Sequence, residues 1–148
     1  MSLRIGVLHG PNLNLLGTRE PDIYGSTTLG EIDRLILDLA ESRGVGITTF
    51  QSNQEGDLVD WIQAEAAAVA GWIVNAAGFT HSSVALRDAL VASERPFVEV
   101  HISNVYSREE FRHRSVLADA AVGVVTGFGP QSYLLGLSGL LGHLAEQS

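Results

Sequence analysis

An arginine and a tyrosine lie close together in the segment after the first predicted strand, at Arg19 and Tyr24. A nearby guanidinium favours a phenolate, so it lowers the pKa of a tyrosine and makes the side chain a usable base. Connections longer than about a dozen residues in a compact α/β domain are mostly binding loops, lids or disordered segments. The pair therefore predicts a binding loop that carries a general base.

Two residue types that enzymes use for covalent catalysis are missing from the chain. Cysteine is absent, and all 9 of the lysine-or-arginine residues are arginines. Schiff-base catalysis needs a lysine amine and thiol catalysis needs a cysteine, so neither route is open to this protein. Any carbonyl chemistry here must be acid–base and electrostatic. The lack of cysteine also agrees with a reducing compartment.

Length and charge set the broad class of protein. A chain of 148 residues with 45% hydrophobic content suits a single domain over 1–148 with a buried core. The net charge of −8 comes without any run of like charges, which argues against a nucleic-acid partner. We find no secretory signal pattern and no apolar stretch of membrane-spanning length. We therefore expect a cytoplasmic protein with no membrane or nucleic-acid partner.

The hydrophobic pattern alternates between strand and helix along the chain. Predicted strands cover residues 4–9, 45–51, 71–75, 96–101 and 120–126. Predicted helices cover 28–43, 83–93 and 107–114, another carries Leu58, Ile62, Ala66 and Val69, and the last follows Gly129-Pro130. This alternation predicts a doubly wound α/β fold with a five-stranded parallel sheet in the order 2-1-3-4-5.

Two details of the helices are predicted from side-chain spacing. A capping box, in which a Ser or Thr is followed three residues later by Glu, occurs at Thr28 and again at Ser107, and predicts a helix start at each. In the helix over 83–93, three apolar side chains are expected to pack inward: Val84, Ala85 and Leu90. The capping boxes thus predict where two helices begin, and the apolar side chains predict which face of a third helix packs inward.

Polar side chains follow three predicted strands at the point where each strand ends. In the predicted order, strands one, three and four are neighbours, and ligands of such sheets bind at the carboxyl ends of the strands. The residues brought together there are His9, Asn12, Asn75, His81, His101 and Ser103, with Arg19 and Arg112 close by in sequence. Amides, imidazoles, hydroxyls and guanidinium groups suit a hydroxylated carboxylate ligand.

Four segments together resemble one enzyme family, type II 3-dehydroquinate dehydratase. They are GPNLNLLG at 10–17, REPDIYG at 19–25, EVHISN at 99–104 and REEFR at 108–112. The match spans nearly the whole chain, and the segments occur in the same order as in the family. The resemblance implies a flavodoxin-like fold, a reversible dehydration of 3-dehydroquinate to 3-dehydroshikimate without a cofactor, and a homododecamer built as a tetramer of trimers.

The resemblance also implies catalytic roles. Tyr24 would remove a proton from the carbon beside the ketone, with its pKa lowered by Arg19. Asn12 would hold a water against the developing enolate oxygen, where a preorganised donor stabilises charge. His101 would protonate the leaving hydroxyl and would be oriented by Glu99, which lies two residues earlier on the same strand face.

Binding roles follow from the same resemblance. Arg112 and the backbone amides of Ile102 and Ser103 would bind the substrate carboxylate. Asn75 and His81 would bind ring hydroxyls, and Asp88 would reach the loop of a neighbouring subunit. The family pattern differs at 76–77, where many members carry Pro-Gly and this chain has Ala-Ala.

Structural interpretations of single residues remain open beside these roles. Arg112 could pair with Glu109 or Asp119. Arg108 could support the loop or the site, or be solvated, and His9 could be structural or could contact residues of the site. The five histidines show no HxH or HExxH spacing, which argues against a metal site. Three glycines, Gly136, Gly139 and Gly142, weaken the last predicted helix unless close packing requires them.

Other protein classes share the predicted fold. A flavin or nucleotide binder would need a compact phosphate-binding first loop, whereas this loop is long and contains Pro11. A receiver-type signalling domain would need a lysine, which the chain lacks. An inactive scaffold would have no need to keep Arg19, Tyr24 and His101 together, so the enzyme is the favoured hypothesis.

Overall fold

A five-stranded parallel sheet forms the centre of the computed structural model, which describes residues 3–18 and 20–147. The strands are β1 (Arg4–His9), β2 (Gly46–Gln51), β3 (Gly71–Asn75), β4 (Phe97–His101) and β5 (Gly123–Thr126). Their order is β2-β1-β3-β4-β5, and every neighbouring pair is parallel. The predicted doubly wound, flavodoxin-like fold is confirmed.

The strand ends agree closely with the sequence prediction except at the last strand. β1 and β3 have the predicted bounds, and β2 and β4 each begin one residue later than predicted. β5 begins at Gly123 rather than at residue 120, because Ala118–Ala120 form a 3₁₀ turn before it. One predicted site residue, Arg19, lies outside the described residues, so its role stays a prediction.

Within the described residues, five α-helical segments connect and flank the strands: α1 (Pro21–Tyr24), α2 (Leu29–Ser42), α3 (Glu55–Glu65), α4 (Val84–Ala92) and α5 (Gln131–Gln147). The capping box at the start of α2 is confirmed, since the Thr28 hydroxyl accepts the Glu31 N–H and the Glu31 carboxylate accepts the Thr28 N–H. α3 ends at Glu65, so Val69 is buried beyond the helix instead of within it.

The predicted helix over 107–114 is wrong. That segment forms two separate 3₁₀ turns, Val105–Ser107 and Glu110–Arg112. Ser107 does not cap a helix, because its hydroxyl donates to the Asn104 carbonyl at 2.8 Å. The Asn104 side chain caps the first turn instead by accepting the Tyr106 N–H at 3.1 Å.

The predicted inward face of α4 is also partly wrong. Val84 is 58% exposed and Ala85 is exposed, whereas Leu90 is buried as expected. The buried positions are Leu86, Ala89 and Leu90, which recur at helical spacing. The helix is therefore rotated relative to the prediction, so that Leu86 rather than Val84 or Ala85 faces inward.

Two hydrophobic clusters lie on opposite faces of the sheet, as the alternation of side chains along a strand requires. One cluster joins Ile5 and Val7 of β1 to α2 and α5, and the other joins Leu8 of β1 to α3 and α4. Both faces of the sheet are thus covered, and the carboxyl ends of the strands remain as the accessible edge. Within the described residues, no helix is both long enough and apolar enough to cross a membrane.

The chain leaves β1 through a glycine that packs directly on the end of β3. The Gly10 N–H donates to the Asn75 carbonyl at 2.7 Å. A Cβ atom at Gly10 would lie 2.2 Å from the Ala76 carbonyl oxygen, so only glycine fits there. This close approach fixes the first loop against the end of β3.

The three glycines of α5 differ in their surroundings, which predicts opposite effects for two alanine substitutions. A Cβ at Gly136 would lie 2.6 Å from Val100 Cγ1 on β4, whereas nothing lies within 4 Å of a Cβ at Gly139. Gly136→Ala should lower the free energy of unfolding by about 1–3 kcal/mol through overpacking. Gly139→Ala should raise it by up to about 1 kcal/mol through helix propensity. Urea unfolding of both variants checks the prediction, and equal shifts would contradict it.

Candidate active site

The central strands end in polar residues at one edge of the sheet. His9, the last residue of β1, is paired in register with Asn75, the last residue of β3. β4, the next strand, ends in His101. All three side chains are buried. The predicted convergence of the ends of β1, β3 and β4 is therefore confirmed.

A cavity of about 180 Å³ lies at this edge. Eight of the predicted site residues line it: Asn12, Tyr24, Asn75, His81, His101, Ile102, Ser103 and Arg112. The wall also contains residues that the sequence analysis did not assign to the site, namely Pro11, Leu13, Ala77, Gly78 and Val105, together with Arg108. The wall thus combines polar side chains with a smaller number of apolar ones.

A histidine and a carboxylate form a buried pair at the end of β4. Nε2 of His101 lies 2.6 Å from Oε2 of Glu99, and the side chains are 6% and 2% exposed. The second carboxylate oxygen accepts the Ser115 hydroxyl at 2.7 Å. A carboxylate held at both oxygens has little freedom, so it fixes the orientation of the imidazole ring. Glu99 lies behind His101 rather than in the cavity wall.

Ser115 is part of this arrangement, although no sequence motif indicates it. Its hydroxyl oxygen accepts the backbone N–H groups of Leu117 and Ala118, each at 3.0 Å, while its hydrogen goes to Glu99. The serine therefore couples the buried carboxylate to the turn at 118–120. Only the folded chain brings position 115 next to position 99, so no local motif could have revealed the contact.

A backbone contact defines the tautomer of the His81 imidazole. Its Nδ1 lies 2.8 Å from the Arg114 carbonyl oxygen, which can only accept, so Nδ1 carries a hydrogen. Desolvation lowers the pKa of His81 below its usual value, and the positive charges of His101 and Arg112 act in the same direction. The neutral ring then leaves Nε2 as a hydrogen-bond acceptor for a ligand.

The two asparagines of the cavity are held by the backbone around them. Asn12 adopts a left-handed conformation with φ of 69°, which asparagine tolerates better than most residues, and its N–H donates to Oδ1 of Asn53 at 2.9 Å. Asn75 is only 3% exposed, and its Oδ1 accepts the Ala77 N–H at 3.2 Å. The Asn12 backbone is thus held by the segment after β2, and the Asn75 amide by the turn after β3.

A cation lies against the ring of Tyr24. The guanidinium carbon of Arg108 is 5.2 Å from the centroid of the tyrosine ring, within the range of cation–π attraction. Arg108 also donates to the Ser103 hydroxyl at 3.4 Å, while its Nε is buried with no hydrogen-bond partner in the described part of the chain. Tyr24 and Arg108 also line a second cavity of about 530 Å³, so they form a wall between the two. Arg108 is therefore a site residue rather than a solvated one.

Arg112 lines the cavity and also forms an ion pair. Its Nε donates to the Glu109 carboxylate, which lowers the pKa of Glu109. The pairing with Glu109 that the sequence allowed is therefore present, whereas Asp119 pairs with Arg87 instead. The ion pair leaves the terminal nitrogens of Arg112 as the donors that a ligand carboxylate could use.

Asp88 is a predicted site residue that the fold does not bring to the cavity. It lies exposed on α4 and is not part of the cavity wall of its own chain. The predicted contact with a neighbouring subunit stays a prediction. Among residues 3–18 and 20–147, no group of three or more His, Cys, Asp or Glu side chains is arranged to hold a metal ion.

The fold and the cavity define a class: a flavodoxin-like α/β protein with a polar cavity at the carboxyl ends of its central strands. The model of the family "Dehydroquinase class II" matches residues 3–141. The chain belongs to the type II dehydroquinase family. This confirms the resemblance found in the sequence.

Individual relatives agree with the family assignment. A 3-dehydroquinate dehydratase of Acaryochloris marina is 56% identical over 96% of this chain and 95% of its own, and one of Prochlorococcus marinus is 49% identical over 97% of each. The crystal structure of type II dehydroquinase from Butyrivibrio crossotus has a TM-score of 0.92 at 38% identity, covering 95% of this chain and 98% of that one. The likeness thus covers the whole site.

The lowered pKa of His81 gives a direct test of the geometry. We expect the NMR titration of the His81 ring to have its midpoint below 6.5, because burial opposes the charged form. Arg112→Ala should move the midpoint upward by removing a nearby positive charge. Below the midpoint the ring becomes doubly protonated and Nε2 can no longer accept. A midpoint at or above 6.5 in the unmodified protein would contradict this account.

Proposed function

We propose that this protein catalyses the reversible dehydration of 3-dehydroquinate to 3-dehydroshikimate by acid–base chemistry, through an enolate and without a covalent intermediate. The observation that carries the proposal is that Tyr24, Asn12 and His101 line one cavity. It is supported by the relatives named 3-dehydroquinate dehydratase. The absence of lysine from the sequence agrees with a mechanism that forms no Schiff base.

Tyr24 acts as the base in the first step. Its phenolate takes a proton from the carbon beside the ketone, and the electrons of the C–H bond move to the ketone oxygen to form an enolate. The Arg108 guanidinium carbon lies 5.2 Å from the centroid of the ring. Arg19, five positions before Tyr24 in the loop, is proposed to assist Tyr24 as the base.

Asn12 stabilises the negative charge that develops on the enolate oxygen. Its backbone N–H donates to Oδ1 of Asn53, and the residue lines the cavity. In the proposal the amide holds a water that donates to the enolate oxygen. A preorganised donor of this kind stabilises the transition state more than the ground state.

His101 completes the dehydration as the acid. The enolate electrons return to form the new carbon–carbon double bond, the hydroxyl on the next carbon leaves, and His101 gives it a proton so that it departs as water. Because Nε2 is held by Glu99, Nδ1 is the ring nitrogen assigned to this proton transfer. Glu99 is a positioning residue, since it orients the ring from behind.

The remaining polar groups bind the substrate. The terminal nitrogens of Arg112 and the backbone amides of Ile102 and Ser103 bind the carboxylate, for which a guanidinium fork is well suited. Asn75 and His81 bind ring hydroxyls, with Nε2 of His81 as the acceptor. The set of donors matches an anionic, hydroxylated ring.

The assembly and setting are part of the same proposal. We propose a single flavodoxin-like domain over 1–148 that assembles as a homododecamer, a tetramer of trimers, with Asp88 directed to a neighbouring subunit. The enzyme would need no cofactor and would work in the cytoplasm, in the shikimate pathway of aromatic amino acid biosynthesis or in quinate catabolism. Size-exclusion chromatography with light scattering tests the dodecamer.

Replacing the base should abolish turnover without changing the fold. Tyr24→Phe removes one hydroxyl, and kcat should fall by about 10²-fold or more. Tyr106→Phe is the matched control, because Tyr106 is 61% exposed and lines neither cavity. Product absorbance at saturating substrate gives kcat, and circular dichroism checks the fold. Substantial turnover by folded Tyr24→Phe would exclude Tyr24 as the base.

Arg112 and Arg19 have different proposed roles, so their alanine variants should show different kinetic defects. Arg112 binds the carboxylate in ground and transition states alike, so Arg112→Ala should mainly raise KM. Arg19→Ala should lower kcat and move the acidic limb of the pH–rate profile to higher pH, because the acidic limb follows the ionisation of the base. Arg108 remains beside the ring, so the loss should be partial.

Single-turnover rates measured across pH separate the chemical step from product release, which could otherwise hide the defect. If Arg19→Ala leaves both the profile and the chemical step unchanged, the proposed activation of Tyr24 by Arg19 is wrong.

A further inference from the structure

A line of four hydrogen-bonded side chains runs from helix α2 through the protein interior to the cavity. Asp33 Oδ1 lies 2.8 Å from Nε2 of His9, and Nδ1 of His9 lies 2.8 Å from the Tyr133 hydroxyl. That hydroxyl accepts Nδ2 of Asn75 at 2.9 Å. His9 and Tyr133 are 0% exposed, whereas the Asp33 side chain is 32% exposed. We call this line the Asp33–Asn75 relay.

The donor and acceptor role of each group in the relay follows from its chemistry. A carboxylate only accepts, so His9 donates to Asp33 from Nε2 and offers the lone pair of Nδ1. Burial raises the pKa of Tyr133, so its hydroxyl keeps the hydrogen that it donates to His9. The phenol oxygen then accepts one N–H of Asn75. In this arrangement every polar atom of the two fully buried side chains has a partner.

The Asn75 amide is held at both of its ends. Nδ2 donates to Tyr133, and Oδ1 accepts the Ala77 N–H at 3.2 Å. Turning the amide over would place Nδ2 against the Ala77 N–H, two donors facing each other, and Oδ1 against the phenol. Nδ2 has two hydrogens, and Tyr133 takes one of them. The second is left for a ligand, and Asn75 lines the cavity.

We infer that Asp33, His9 and Tyr133 are positioning residues that fix the Asn75 amide with a free N–H directed to substrate. The inference rests on the proposed function, in which Asn75 binds a ring hydroxyl. It adds the polarity of that contact: Asn75 donates, and the substrate oxygen accepts. It also assigns a function to Asp33, which lies on a helix that contributes nothing to the cavity wall.

A structural role alone accounts poorly for the relay. Burying an imidazole and a phenol is costly unless each is fully hydrogen-bonded, and apolar side chains could fill the same space. The relay begins at a partly exposed carboxylate and ends on a cavity residue rather than on another structural element. Because the relay ends at Asn75 in the cavity wall, it can position a contact with a ligand.

A double-mutant cycle on kcat/KM for 3-dehydroquinate tests the coupling. Tyr133→Phe should lower kcat/KM about tenfold, because it releases one end of the Asn75 amide. Asn75→Ala should lower it at least as much, and the double variant should be no worse than Asn75→Ala alone. A purely structural Tyr133 would give effects that multiply, and that result would overturn the inference. Tyr106→Phe, which removes an exposed phenol hydroxyl, is the control for the substitution type.

Because Tyr133→Phe alters the core, a second pair of variants tests the far end of the relay. Asp33→Ala removes the acceptor for His9 at a partly exposed helix position and should lower kcat/KM several-fold, mainly through KM. Asp33→Asn keeps an oxygen acceptor and should recover most of the loss. Equal activity of Asp33→Ala and the unmodified protein would overturn the inference.

A measurement without substrate separates this inference from the proposed function. The side-chain amide signals of Asn75 in nitrogen–proton NMR spectra should shift and exchange faster in Asp33→Ala and Tyr133→Phe, and should stay in place in Asp33→Asn. Unchanged signals in the first two variants would refute the relay. Shifted signals in a protein that does not dehydrate 3-dehydroquinate would refute the proposed function and leave the relay standing.

Discussion

The register between β1 and β3 is the constraint on which the site depends. It pairs His9 with Asn75, so the first loop and the turn after β3 leave the sheet side by side. The Gly10 N–H bonds to the Asn75 carbonyl, and there is no room at Gly10 for a side chain. A shift of one residue would turn every side chain to the other face and separate the asparagines from His101. The hydrophobic pattern that buries Ile5 and Val7 against one pair of helices thus also sets the positions of the polar side chains at the strand ends.

Buried polar contacts then convert this placement into defined orientations. The Glu99–His101 pair is held by Ser115, and the Asn75 amide is held between Tyr133 and the Ala77 backbone. In a low-dielectric interior each of these contacts is strong, and losing one partner is costly. In the proposed mechanism the base therefore lies on the first loop, whereas the acid lies at the end of β4.

The sequence predicted the fold and most of the cavity, for a physical reason. Continuous apolar runs bounded by polar residues mark both a buried parallel strand and its end, so His101 and Asn75 could be placed without coordinates. The prediction failed where the deciding contacts are local but weak: Ser107 bonds backward to the Asn104 carbonyl, and no helix forms. It also could not find Ser115 or the contact of His9 with Tyr133, because each partner lies far away along the chain.

In the proposed mechanism two residues catalyse separate steps: Tyr24 forms the enolate, and His101 then protonates the leaving hydroxyl. Proton NMR of 3-dehydroquinate in deuterium oxide tests it directly, because it follows exchange beside the ketone separately from dehydration. His101→Ala should still exchange that proton for deuterium while forming almost no 3-dehydroshikimate, and Tyr24→Phe should do neither. Dehydration by His101→Ala at the rate of the unmodified protein, or the loss of exchange in that variant, would contradict the account.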